Sequence, residues 1–595
     1  MLLPPIRVAA FLVCLAFGCI LLFIVSSLHG VDSQRFRKNR PNYPPHSGSW
    51  QYPTENENEK IDPASRLLWA SRASSIREAF LHAYSGYIKY APFPADELRP
   101  LSNTSTNNFN GWGVTMVDSL DVMLLMGLHD EFRYAISKVS TLDFTMPTGE
   151  KVPFFETVIR YLGGFLSAYA LSNETIFLSL AERLATKLLP TFKTDSGLPA
   201  HSVDFRTNHE LVFQRGQISP ESTIAIAELG SYQMEFKYLS HLTGRNEFFR
   251  VAERPMDILA KTQSTSNHLW PSMFSVNSGS PSSGEYTIGA PADSAYEYLL
   301  KQYLLSNKTE TKLAELYMSS MSGVIDNLLY LSPTRRLLYA TSVNIRGDPT
   351  GKFEHLSCFL PGLLALGAST LPDSVMSPDQ RKLHMWAAEG LGHTCWLMYA
   401  ERPSGLGPEN VWFEQWSLQE RDLQGKEDKN ALISQAKQRG RWMAHVAEWE
   451  KSERSGGKPP GTNDPTVMVG AEKKVLDYYV GHDSYLLRPE SLFILYRITK
   501  DPKWRDRGWQ LWDSIAKKTR TSSGFATALS LNFKNPTLDD SMPSYFLAET
   551  IKYAYLSTLD YDPIPMSSFV LNTEAHPLPI FDWRDWESNA HHIKS

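Results

Sequence analysis

Apolar residues in this chain recur mostly at helical spacing. Ile159, Leu162, Phe165, Leu166 and Tyr169 share one helix face. Similar runs occupy 117–139, 222–243, 293–305, 311–331, 381–399, 490–499, 505–517 and 544–558, and few alternating, strand-like runs separate them. From Ala64 onward the pattern predicts an all-α body of many helix hairpins, and no Pro/Gly linker divides it. Residues 415–465 depart from it. They are rich in Gln, Lys, Glu and Arg and end in SERSGGKPPGTNDP, which predicts a surface insertion, partly helical and partly loop.

The N-terminal pattern is different. Val8 to Val25 is almost entirely apolar, Ser26, Ser27 and Leu28 extend it, and no Lys, Arg, Asp or Glu falls between Arg7 and Asp32. That length suits about one bilayer crossing and exceeds the core of a typical signal peptide. With no small-x-small cleavage site after it, the segment 8–28 predicts an uncleaved signal anchor behind a short cytoplasmic tail, 1–7. Residues 29–63, with PNYPPHSGSW and TENENEK, predict a flexible stem, and 64–595 the folded body. Arg35, Arg37, Lys38 and Arg40 follow the anchor, so charge bias alone would favour the opposite orientation to a lumenal body.

Composition refines this picture in two respects. A net charge of −5 gives no reason to expect nucleic acid as a partner. Of four cysteines, Cys14 and Cys19 lie inside the apolar segment, leaving Cys358 and Cys395 in the body. One pair in a large domain fits a single disulfide in an oxidising compartment or two buried thiols. Three acceptor sequons, at Asn103, Asn173 and Asn307, favour the oxidising, lumenal side.

No zinc-type ligand cluster, P-loop or dinucleotide fingerprint is present. The chemistry-bearing residues are carboxylates paired with other polar groups along helices. Glu156 and Arg160 are four apart and share a face, as do Asp293 and Glu297; Glu228 and Glu235 are seven apart. Arg488-Pro489-Glu490 opens a further helix, with Pro at a favourable first-turn position. By spacing alone each is a solvated pair or a cap, and convergence is a tertiary question.

Nine segments in order carry a resemblance: GWGVTMVDSLDVMLLMGL (111–128), FFETVIRYLGGFLSAY (154–169), AIAELGSYQMEFKYLSHLTG (225–244), GAPADSAYEYLLK (289–301), HLSCFLPG (355–362), GLGPE (405–409), LLRPESLFILYR (486–497), FLAETIKY (546–553) and FVLNTEAHPLP (569–579). Together they resemble glycoside hydrolase family 47, the class I α-mannosidases. The resemblance implies one (α/α)7 barrel of helical hairpins with its site deep in a central cavity, and a disulfide between Cys358 and Cys395. It implies inverting hydrolysis of terminal α-1,2-linked mannose on high-mannose N-glycans, by a monomer anchored in the ER or Golgi membrane, type II, with its catalytic domain in the lumen. Such hydrolysis needs one carboxylic acid to protonate the leaving oxygen and one carboxylate to activate water on the opposite face.

By motif, Glu156 corresponds to the general acid, acting through a water, Glu490 to the base and Asp293 to the third catalytic carboxylate. Arg160, Glu228, Glu297, His355, Arg488, Tyr545 and Glu549 correspond to pocket positions. Thr573 corresponds to the single direct protein ligand of one Ca²⁺, through its hydroxyl and backbone carbonyl, with waters and sugar hydroxyls completing an oxygen shell. Two departures stand out. Where the family reads R-P-E-T-V-E-S-L, this chain reads Arg488-Pro489-Glu490-Ser491-Leu492, three residues shorter and one carboxylate poorer. Pro291 stands where the family carries varied residues that help choose the branch cut. The shortening admits an alternative: a weakly active or inactive relative that binds mannose glycans in ER-associated degradation.

Overall fold

The computed structural model describes residues 62–146, 151–205, 223–282, 284–417, 428–470, 473–488 and 492–593. The expected membrane anchor (8–28) and the stem up to residue 61 lie outside these, as does Glu490, while Asp62 and Pro63, expected to end the stem, belong to the start of the first helix. Among the described residues no helix is long and apolar enough to cross a membrane.

Asp62 caps the first helix, α1 (Pro63–Tyr90): its carboxylate accepts from the Ser65 amide, and Pro63 sits where its missing N–H costs nothing. Hairpins follow: α2 (Leu120–Leu125) with α3 (His129–Val139), α4 (Gly163–Ser172) with α5 (Thr175–Leu188), and α6 (Gln233–Thr243) with α7 (Asn246–Thr262). Next come α8 (Asp293–Leu305) with α9 (Thr311–Asn327), α10 (Phe359–Thr370) with α11 (Pro378–Ala400), and α12 (Leu492–Thr499) with α13 (Pro502–Thr519). The last, α14 (Lys552–Thr558), packs on α1.

The even-numbered helices form an inner ring. α2 packs on α4, α4 on α6, α6 on α8, α8 on α10, α10 on α12 and α12 on α14, and the π-helical turn Phe546–Ile551 that leads into α14 closes the ring on α2. The other seven helices form the outer layer. The sequence explains the division. Residues 233–242 of α6 are all buried, and so is most of α8 and α10, as befits helices covered on every side. α7 and α13 bury one face and show charge on the other.

Two expected helices are broken. The run 117–139 divides between α2 and α3, where Gly127 turns the chain with φ +67°. The run 222–243 begins as a strand, Thr223–Ala225, and a short helix, Ile226–Gly230, before α6. Strands are present after all, but as two- and three-stranded ribbons of two to five residues each, in the loops between helices. A period-two pattern that short leaves no signal against the helical one. Within 415–465, helices Lys429–Gln438 and Trp442–Lys451 form, and the second buries Trp442, Val446 and Trp449 while packing on α9.

Candidate active site

The hairpin of strands Phe569–Leu571 and Pro577–Pro579 packs against α8 and α4 and plugs the ring. Its turn is organised by the buried Asn572. The Asn572 side-chain oxygen accepts from the backbone amides of Glu574 (2.9 Å) and His576 (2.8 Å), and its side-chain NH₂ donates to the Ile159 carbonyl (2.9 Å) and to Glu235 (2.8 Å). Gly163 permits the approach: a Cβ there would lie 2.5 Å from the Asn572 amide nitrogen. His576, fully buried, donates to Asp121 (2.7 Å) and Asp118 (3.3 Å). Burial alone would lower its pKa, but the two aspartates hold it above the ordinary value.

Above this turn lies a cavity of about 440 Å³. Glu156 lines it from the end of the short helix Phe154–Glu156, Arg160 from the π-helical turn Thr157–Leu162 that follows, and Glu549 from a second such turn, Phe546–Ile551. Wide turns of this kind inside helices recur at functional sites. Asp293 and Glu297 line it from the first turns of α8, and Glu228 from the short helix Ile226–Gly230. His355, Arg488, Tyr545 and Thr573 complete the expected set on its wall. Ten of the eleven residues expected in catalytic, sugar-binding and metal roles therefore share one wall. The eleventh, Glu490, lies outside the described residues.

The wall is a lattice of opposed charges. Arg160 donates to Glu156 (2.8 Å) and to Glu574, lies 3.8 Å from Asp118, and faces the Tyr545 ring at 5.7 Å. Burial works against the Arg160 charge, but Glu574, Glu156 and Asp118 more than offset it and hold its pKa well above the usual value. Arg488 donates to Glu409 (2.9 Å) and faces the other side of the site at 5.4 Å from Tyr545. Glu228 pairs with His201 (2.7 Å), and the His355 ring meets the Tyr399 hydroxyl at 2.6 Å. Burial, reinforced by the neighbouring Glu297 and Glu354, raises the Asp293 carboxyl to about 8. Burial also raises Glu549 and Glu574, against the pull of Arg160. Carboxyls that keep a proton at neutral pH beside one ion-paired with arginine are what acid–base chemistry requires.

The segment before Glu490 is firmly held. Leu487 takes a left-handed φ of +62°, uncommon for a branched apolar residue. Three bonds impose it: the Leu486 amide to Glu409 (3.2 Å), the Tyr545 hydroxyl to the Leu486 carbonyl (2.7 Å) and the Thr550 hydroxyl to the Leu487 carbonyl (2.6 Å).

Four residues of the site went unmarked in the sequence. Glu574 follows Thr573 directly; Lys301 pairs with Glu297, four positions before it; Glu409 ends the GLGPE segment and holds Arg488; Glu354 precedes His355 and accepts from the Ala290 amide (3.2 Å). Glu574 and Glu354 adjoin a marked residue, Lys301 lies one helical turn from one, and Glu409 closes a matching segment; that proximity is the available signal. Among the described residues no group of three or more His, Cys, Asp or Glu side chains is disposed to hold a metal ion. The hydroxyl and carbonyl oxygens of Thr573 have no hydrogen-bond partner among the described residues, and its amide donates to the Tyr298 hydroxyl (3.3 Å).

Away from the cavity, Cys358 and Cys395 are joined, tying the start of α10 to α11. Asn173 is exposed at the end of α4, Asn103 is half-buried, and the exposed Asn307 donates its side-chain amide to Asp582 (2.7 Å).

A family model described as glycosyl hydrolase family 47 matches residues 79–580. The endoplasmic reticulum mannosyl-oligosaccharide 1,2-alpha-mannosidase of Rattus norvegicus is 36% identical over 519 residues, 86% of this chain and 68% of that protein. The mannosyl-oligosaccharide 1,2-alpha-mannosidase MNS3 of Arabidopsis thaliana is 35% identical over 547 residues, 86% of this chain and 80% of that one. The solved alpha-1,2-mannosidase from Trichoderma reesei superposes with a TM-score of 0.69 at 27% identity, covering 86% of this chain and 99% of its own. The helical ring, the cavity at its centre and these likenesses agree, and the chain belongs to glycosyl hydrolase family 47.

Proposed function

We propose that this protein removes terminal α-1,2-linked mannose from high-mannose N-glycans, with inversion. The observation that carries the reading is the gathering of Glu156, Asp293, Glu297 and Glu549 with Arg160 and Arg488 around one cavity. In this reading Glu156, positioned by Arg160, delivers a proton through a water to the glycosidic oxygen as the C1–O bond breaks. Glu490 takes a proton from the water that attacks C1 on the opposite face. Asp293, its carboxyl raised to about 8 by burial, is the third carboxylate and keeps a proton to donate at neutral pH.

Calcium fits this site. Thr573 offers two oxygens on the cavity wall that have no partner among the described residues, and Glu297, Glu549 and Glu574 share that wall. An oxygen shell completed by water is one that Ca²⁺ accepts. Bound there, it would anchor sugar hydroxyls and offset the negative charge of the wall. We read residues 8–28 as a signal anchor that places the body in the lumen of the secretory pathway, as the sequons and the disulfide favour.

The test is to incubate the purified lumenal body with a high-mannose N-glycan and calcium and weigh the products. Stepwise loss of single hexoses is expected. Glu490→Gln should lower turnover by about 10²–10⁴-fold while leaving glycan binding measurable. A second reading, a glycan-binding protein without turnover, is favoured by the shortened 488–492 segment. Binding without any loss of hexose from the parent protein would select it.

A further inference from the structure

A three-stranded ribbon stands beside the cavity: Lys352–Glu354 pairs with Asn410–Phe413, which pairs with Tyr478–His482. One face is core. Phe353 and Tyr478 pack on Phe413, with ring centroids 6.1 Å and 5.5 Å away, and Tyr339 stacks on it at 4.0 Å. The other face looks outward and carries two cross-strand rows, set by the register. The first is Glu354, Asn410 and His482; the second is Lys352, Trp412 and Tyr479.

The first row joins the cavity rim. Glu354 accepts from Ala290, beside Asp293, and precedes His355; Asn410 follows Glu409, which holds Arg488. The second row lies two residues farther along the first two strands, about 7 Å from the first, and three along the last, where a bulge admits Gly481. Its centre is the half-buried Trp412. The indole leans across the neighbouring strand over Gly481, where a Cβ would lie 2.7 Å from its ring nitrogen and 2.1 Å from the Asn410 side-chain oxygen. Only a residue without a side chain lets the ring and the amide lie there together. Among the described residues neither the Trp412 indole N–H nor the Asn410 side chain has a hydrogen-bond partner. Lys352, paired with Glu354 at 2.5 Å, and Tyr479, 42% exposed, flank the ring.

We propose that this outward face is a second oligosaccharide subsite. Trp412 would stack on a sugar ring, and Asn410, Lys352 and Tyr479 would bond its hydroxyls. Its occupant is the part of the glycan that stays outside the cavity while a terminal mannose occupies it. Continuity with the rim and the pairing of the Trp412 ring face with the Asn410 side chain, which has no partner among the described residues, fit a sugar, which is apolar on its ring faces and polar at its edge. The inference rests on the function proposed above.

The experiment compares two substrates, the free disaccharide α-1,2-mannobiose, which reaches only the cavity, and a high-mannose N-glycan. For Trp412→Ala the ratio of kcat/KM for the glycan to that for the disaccharide should fall about tenfold, and calorimetry should show a matching loss of glycan affinity. Gly481→Val, which drives the ring off the strand, should lower the same ratio, and Trp412→Tyr should restore part of it. An unchanged ratio in both Trp412→Ala and Gly481→Val, with the parent active on both substrates, overturns the subsite alone. A parent protein that neither binds nor cleaves either sugar overturns the functional reading and the subsite with it. A loss seen with an intact glycoprotein but not with the free glycan would assign the face to polypeptide and overturn the proposal.

Discussion

Asp293 shows how far one residue's chemistry depends on where the fold puts it. In sequence it is the first residue of a polar-apolar run, DSAYEYLLK, and an ordinary helix-start carboxylate. In the structure burial and the nearby Glu297 and Glu354 raise its pKa to about 8, against about 4 in an unfolded chain. The fold thus binds a proton that the unfolded chain has released. The protonated form's contribution to stability is complete below about pH 4 and is lost as pH rises toward 8. In chelator, denaturation by urea at a series of pH values should show stability falling across that window. Asp293→Asn, always neutral, should flatten the fall and also abolish turnover. The identities of Glu156, Arg160, Asp293 and Thr573 were legible because each sits in a long ordered motif. Glu574, Lys301 and Glu409 were not, because their importance lies in which charge they face: Arg160, Glu297 and Arg488 respectively.

At the scale of elements, local pattern succeeded where it was long. The run 293–305 coincides with α8, and the helix over 381–399 lies within α11. It failed where a helix is interrupted by one residue's backbone, as at Gly127, and for strands too short to show a period. The joining of α10 to α11 through Cys358 and Cys395 carries its own prediction. The cysteines are 37 residues apart, and closing a loop of that length restricts the unfolded chain by about 4 kcal/mol in the chain-entropy account. Replacing both by Ser should lower stability by roughly that much. The cavity wall is spread over several helices, so calorimetry should show earlier unfolding with glycan binding retained at low temperature.

At the scale of the molecule, the plugged ring makes the site's stability and the ligand's binding one equilibrium. A ligand held at the Thr573 turn stabilises the native state alone. Calcium at a hundredfold excess over its Kd should therefore add about 2.7 kcal/mol, read as a rise in Tm that EDTA reverses. Thr573→Ala should shrink that rise without unfolding the protein, because Asn572 and His576, not Thr573, hold the turn. An equal Tm with calcium and with chelator would remove calcium from the proposal. Helical period and motif order, which lie along the chain, were enough to read the helical class, the family and ten of the residues that line the cavity. The tertiary structure decided which of those residues meet. Arg160 reaches Glu574, 414 positions away, only because the ring closes and the 569–579 hairpin plugs it. The outward row of Lys352, Trp412 and Tyr479 likewise comes from three separate segments, and a contact between distant segments is set by packing, of which a linear pattern holds no record.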